Sequence, residues 1–143
     1  MKLDQSFLTI PLAHRGLHDG GQACPENTLG AARAAISAGY GIEVDVQLSR
    51  DDVAMVFHDD RLDRLTAEKG WVRGADAMHL KSLQVLRSQE RIPKLRDLLD
   101  LVKGAVPLLL EAKDQSEGKG GSDGRLEAAI AKELTGYHGP IAV

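Results

Sequence analysis

Three acidic residues, two histidines and two basic residues stand at or near the ends of the chain's apolar runs. His14 and Arg15 close the run 7–13, and Glu43 and Asp45 alternate with Val44 and Val46. His58 closes the run 53–57, while Glu111 and Lys113 follow the run 106–110. The carboxylates Glu43, Asp45 and Glu111 offer oxygen ligands, which suit a hard divalent cation such as Mg²⁺ or Ca²⁺. Zinc is less natural without cysteine partners. His14 and His58 suit a general base and a general acid near neutral pH. Arg15 and Lys113 suit a phosphate. A metal, two imidazoles and two cations around one anion describe phosphodiester cleavage. Singly, each residue has a plainer reading: a satisfied loop histidine, the wet face of a strand, a solvated strand end. Their co-location is what argues for a site.

The elements that must position these residues can be read from the pattern of apolar residues. Residues 7–13 (FLTIPLA) form a short apolar run and read as a buried strand, with Pro11 as its weak point. Asn27 or Thr28 suits the N-cap of an Ala-rich helix over 29–38, which Gly39 stops. Residues 41–48 (GIEVDVQL) alternate with period two and read as a strand. Strand, helix and strand make the unit of a parallel α/β fold. The next strand, 53–57, follows too closely for a parallel crossover, so the two should form a hairpin. A turn centred between Arg50 and Asp51 sets Glu43 opposite His58 and Asp45 opposite Val56. Glu43, Asp45 and Gln47 would then share a face with His58, and Val44, Val46 and Leu48 the other face with Val53, Met55 and Phe57.

Residues 59–91 read as a loop-rich excursion with one short helix, marked by Met78, Leu80, Leu83 and Leu86. An amphipathic helix over 94–103 places Leu95, Leu98, Leu99 and Val102 on one stripe. A strand at 106–110, a glycine-rich loop at 115–124, a helix over 125–134 and a strand opening at Ile141 complete the reading. The glycine-rich stretch lacks the spacing of a phosphate-binding loop.

With 143 residues, 43% apolar and 27% charged, the composition is that of an ordinary globular domain. Eighteen basic residues against 21 acidic ones give a net charge of −3, and aromatics are only 3%. That balance gives no general pull toward nucleic acid, and the few aromatics argue against base-stacking platforms. No run approaches the length of a transmembrane helix. The first residues lack a signal-like apolar core, so a cytoplasmic location is expected. A single cysteine, Cys24, fits a reducing compartment and reads as a bystander. Trp71 reads as part of the excursion's own core or of a substrate entrance.

His14-Arg15-Gly16, Pro25-Glu26-Asn27-Thr28, Glu43-Val44-Asp45-Val46, His58-Asp59 and Glu111-Ala112-Lys113 occur in this order. Together they resemble the glycerophosphodiester phosphodiesterases, and Leu62-Asp63-Arg64 and Ile92-Pro93-Lys94-Leu95 also look like that family's intervening segments. Leu65 stands where the family often has threonine. The resemblance implies a (β/α)8 TIM barrel of the PLC-like phosphodiesterase type. It implies metal-dependent hydrolysis of a small glycerophosphodiester to glycerol 3-phosphate and an alcohol. By the family pattern Glu43, Asp45 and Glu111 ligate Mg²⁺ or Ca²⁺, and His14 and His58 form the acid–base pair. Arg15 and Lys113 contact the phosphate, and Glu26 is a further site residue. The excursion over 59–91 would match a small inserted region beside the site.

Four barrel-type strands are counted, whereas a complete barrel takes ~250 residues. The expectation is therefore the N-terminal part of one such domain, truncated, with open edges prone to self-association. The rival expectations are an inactive truncated homologue, an anion-binding remnant, and a lysophospholipase D-like phosphodiesterase of the same fold.

Overall fold

A computed structural model describes residues 3–113, 115 and 123–143. A short helix α1 (Ser6–Thr9) leads into β1 (Leu12–His14), and α2 (Leu29–Ala38) is followed by β2 (Gly41–Leu48) and β3 (Ala54–Val56). Next come a 3₁₀ turn at Val72–Gly74, α3 (Ala77–Ser82), α4 (Leu95–Val102), β4 (Leu108–Ala112), α5 (Arg125–Leu134) and β5 (Ile141–Ala142). The sheet runs β1-β2-β4-β5 with all neighbours parallel, and β3 pairs antiparallel with β2. This is a stretch of TIM-barrel wall with helices on its outer face.

Local chemistry accounts for the longer elements. Thr28 caps α2, its hydroxyl oxygen accepting from the Ala31 amide at 3.2 Å, and Gly39 ends it in the left-handed region at φ 76°. On β2 the even residues Ile42, Val44 and Val46 turn toward the helices and join Ala32, Leu98, Leu99 and Ile130 in one core. Its odd residues Glu43, Asp45 and Gln47 turn to the opposite face, yet all three are buried. Burying charge without partners is costly, so that face must hold compensating groups.

Two expectations are corrected here. The run 7–13 is not one strand: residues 6–9 form a helical turn, and only Leu12–His14 pairs with β2. Asp4 Oδ1 accepts from the Ser6 amide at 2.9 Å and its hydroxyl at 2.6 Å, which fixes the turn. The hairpin register is also shifted by one residue. Val46 pairs with Val56, Gln47 with Met55 and Leu48 with Ala54. The cause is a three-residue loop closed by the Ser49 amide donating to the Val53 carbonyl at 3.0 Å, with Asp52 left-handed at φ 59°. A one-residue slip exchanges the faces of a strand. Met55 and Phe57, not Val56 and His58, therefore share the carboxylate face, and the expected opposition of Glu43 and His58 does not occur.

Met55 and Phe57 meet the excursion over 59–91, which has its own core of Leu62, Leu65, Val72, Leu80 and Ile92. Met78 is exposed. Trp71 is partly exposed, with Arg61 and Arg73 within 5.2 Å of its ring, rather than in that core. Most of the expected glycine-rich loop, residues 116–122, lies outside the described residues. Among the described residues, no helix is long and apolar enough to cross a membrane.

Candidate active site

The register of the parallel strands gathers the site. His14 lies beside Glu43 and Asp45 beside Glu111. Directly paired strand residues share a face, so one face receives an imidazole and three carboxylates. One ligand oxygen from each of Glu43, Asp45 and Glu111 lies within 4.8 Å of the others.

Each carboxylate is held differently. Asp45, only 1% exposed, receives Lys113 Nζ at 2.7 Å on Oδ1, while Asn27 Nδ2 donates to Oδ2 at 2.8 Å. Arg15 Nε stands 3.4 Å from the same Oδ2. Glu43 Oε2 accepts from the Arg15 amide at 2.9 Å, and His14 Nε2 lies 3.9 Å away. Glu43 Oε1 is buried and has no hydrogen-bond partner among the described residues. Burial pushes the Glu43 carboxyl up, the Arg15 amide opposes this, and the Asp45 charge adds to the rise. Glu111 is exposed and accepts from Lys113 Nζ at 2.6 Å. Burial pulls the Lys113 ammonium down, but its bonds to Asp45 and Glu111 win and push it up.

The loop after β1 is built to hold Arg15. Arg15 and Asn27 both sit in the left-handed region, and the Asn27 amide donates to the Arg15 carbonyl at 2.9 Å. Gly16 is left-handed too, at φ 78°, and a Cβ there would stand 2.7 Å from Ala31 Cβ. Only glycine fits that crossing of loop and helix. Arg15 Nη1 reaches Glu26 Oε1 at 2.9 Å.

From Glu26 the network crosses into the excursion. Arg64 Nη1 donates to Glu26 Oε2 at 3.0 Å and Nη2 to Oε1 at 2.9 Å. The same guanidinium grips Asp59, with Nε to Oδ2 at 2.7 Å and Nη2 to Oδ1 at 2.8 Å. His58 Nδ1 lies 2.7 Å from Asp59 Oδ1. Gln47, fully buried, donates from Nε2 to the Phe57 and Asp59 carbonyls at 2.8 Å each and so fixes the backbone around His58.

Every residue expected at the site thus belongs to one connected set, and His58 enters it through Asp59 and Arg64 rather than across the hairpin. Asn27, Asp59 and Arg64 complete that set. For Asn27 the available signal was its type, since asparagine tolerates the left-handed region. For Asp59 it was the His-Asp dipeptide. For Arg64 it was the Leu62-Asp63-Arg64 segment of the resemblance, which carries no hint of its partners. Cys24 lies apart, its thiol pushed up by burial and by Asp19 and Glu90.

Hydrogen bonds from Arg64 lower the Asp59 carboxyl from 3.8 to about 2, against burial and with help from His58. The Asp59 contribution to folding stability is therefore complete above the unfolded value of 3.8 and is lost as pH falls through about 2. Asp59→Asn is expected to flatten the stability-versus-pH curve in that window, as measured by chemical denaturation. An unchanged slope would contradict this origin of the acid sensitivity.

The donor set fits a hard cation: all-oxygen ligands on one face, with one buried oxygen left unpartnered. Arg15 and Lys113 flank the three carboxylates.

A family model for the glycerophosphoryl diester phosphodiesterase family matches residues 14–138. The chain is 36% identical over 101 residues to a glycerophosphodiester phosphodiesterase of Caldanaerobacter subterraneus subsp. tengcongensis, covering 66% of this chain and 40% of that protein. It is similarly 36% identical over 95 residues to glycerophosphodiester phosphodiesterase 1 of Rattus norvegicus, covering 60% of this chain and 28% of that protein. Among solved structures, it resembles an Oleispira antarctica phosphodiesterase in complex with the product sn-glycerol-3-phosphate. That match has a TM-score of 0.76 at 28% identity and covers 95% of this chain and 57% of the other. The Thermotoga maritima glycerophosphodiester phosphodiesterase matches with a TM-score of 0.71 at 29% identity, covering 92% of this chain and 51% of the other. The chain thus spans less than two thirds of the length of each of these relatives.

Proposed function

Because the chain belongs to the glycerophosphodiester phosphodiesterase family, we propose that its site serves the hydrolysis of glycerophosphodiesters to glycerol 3-phosphate and an alcohol. The observation that carries this reading is the convergence of Glu43, Asp45 and Glu111 within 4.8 Å, flanked by Arg15 and Lys113. The product complex of the Oleispira antarctica relative agrees with a small glycerophosphate in such a site.

Glu43, Asp45 and Glu111 would hold Mg²⁺ or Ca²⁺, which when bound neutralises charge on the phosphate oxygens. Arg15 offers the diester a planar fork and Lys113 a point charge, and both counter the charge that grows as the phosphorus is attacked. Glu26 holds the Arg15 guanidinium at 2.9 Å and so fixes its direction. His14 and His58 are the proton carriers. One takes a proton from the attacking water, whose oxygen bonds to phosphorus as the bond from phosphorus to the alcohol oxygen breaks, and the other gives a proton to the departing alcohol oxygen.

The test is an assay on glycerophosphocholine with Mg²⁺ or Ca²⁺ and with chelator. It is run on the 143-residue chain and on a closed-barrel form completed with the second half of a relative. Cation-dependent release of glycerol 3-phosphate by the closed form is expected. Release from a lysophospholipid alone, or from neither substrate, would overturn the reading.

Among the described residues, β1 pairs only with β2 and β5 only with β4. Such unpaired edges template pairing with another chain. The 143-residue chain by itself is therefore expected to self-associate and to turn over little substrate. Sedimentation checks this, and a monomeric, fully active 143-residue protein would contradict it.

A further inference from the structure

Among the described residues, Arg64 is the side chain that joins Glu26 to Asp59, the two halves of the site's supporting network. We propose that Arg64 is a positioning residue that braces the proton carrier His58 and the phosphate ligand Arg15 against each other by gripping Asp59 and Glu26. The proposal rests on the phosphodiesterase reading for the roles of His58 and Arg15, but the brace itself stands on geometry. Four donor contacts of 2.7–3.0 Å use Nε and both terminal nitrogens on two carboxylates. Those carboxylates then hold His58 Nδ1 at 2.7 Å and Arg15 Nη1 at 2.9 Å.

An exposed ion pair on a surface contributes little, and the Arg64 side chain is 49% exposed. Three features set this one apart. Its partner side chains are largely buried, Glu26 at 11% and Asp59 at 23% exposure. Its contacts are bidentate on both sides, which fixes direction as well as distance. Its backbone is anchored, because Leu62 and Leu65 are buried in the excursion core and the Leu65 carbonyl accepts from Leu86 at 2.7 Å. The excursion therefore delivers a cross-strut to the site, as well as covering Met55 and Phe57.

The brace has a chemical consequence. An ionised carboxylate only accepts hydrogen bonds, so Asp59 requires the hydrogen of neutral His58 to sit on Nδ1. Nε2 is then the nitrogen free to move a proton. An aspartate that orients an imidazole in this way also selects its tautomer. A lysine at position 64 could not span both carboxylates with two parallel bonds each.

The experiment compares Arg64→Met and Arg64→Lys with the unmodified 143-residue chain by ¹⁵N NMR of the His58 ring. Turnover is measured in the closed-barrel form. In its neutral form, His58 of the unmodified chain should carry its hydrogen on Nδ1. Arg64→Met should give a mixture of tautomers and lower kcat ~10–10²-fold, and Arg64→Lys should not restore kcat to the starting value. Identical ring signals and kcat in both variants would overturn the brace. If Arg64→Met fails to fold, Arg64→Lys decides by the same signals. Loss of the tautomer in a protein that hydrolyses no glycerophosphodiester would support the brace while overturning the phosphodiesterase reading.

Discussion

His58→Ala is expected to lower glycerophosphodiester turnover by ~10²–10⁴, the range for a lost proton-transfer group. The expectation comes from how His58 is held. Gln47 pins the backbone on both sides of it, and Asp59 fixes its ring from 2.7 Å. That degree of fixation is more than a solvent-facing histidine needs. His14→Ala should act through the same step, since its Nε2 stands 3.9 Å from Glu43 in an otherwise open position, 69% exposed. Steady-state kinetics of the closed-barrel form check both variants. The loss should fall on kcat rather than KM, because a proton carrier acts mainly in the transition state. Near-normal kcat in either variant would remove that histidine from the mechanism.

Asp45→Asn is expected to weaken binding of Mg²⁺ or Ca²⁺ by at least ~10²-fold, since even loss of an outer partner of a metal site costs ~10–10²-fold. Asp45 faces Lys113, Asn27 and Arg15 together and is the most enclosed of the three carboxylates. Its replacement takes away the charge of a proposed ligand and one of the two oxygens that face Lys113 and Arg15. Calorimetric titration of the 143-residue chain with each cation reads the effect directly, without turnover. Unchanged affinity would exclude Asp45 as a ligand. Glu111→Gln should weaken binding too, but with less disturbance, because Glu111 is exposed and has Lys113 as its partner.

Much of this arrangement was legible in the residues. Helices Leu29–Ala38 and Arg125–Leu134 form where composition and stop signals place them. The alternation of Gly41–Leu48 separates carboxylates from valines because a strand sends successive side chains to opposite faces. Parallel pairing then aligns Asp45 with Glu111, so strand-end charges separated in sequence meet in space. What was not legible depends on single backbone angles and on tertiary packing. The left-handed Asp52 moves the hairpin by one residue and sends His58 out of the expected pair. The Asp4 turn takes residues 6–9 from the strand. Arg64 has no periodic signal because the excursion is irregular. The packing of Leu62 and Leu65 on either side anchors the backbone from which its guanidinium reaches Glu26.

On the proposed function, the phosphodiester breaks on the alcohol side and the phosphate stays on glycerol. The most direct measurement is ³¹P NMR of glycerophosphocholine incubated with the closed-barrel form and Mg²⁺ or Ca²⁺. The predicted result is replacement of the diester signal by that of glycerol 3-phosphate, with none in the Asp45→Asn form. A persistent diester signal, or phosphocholine as the product, would contradict the account.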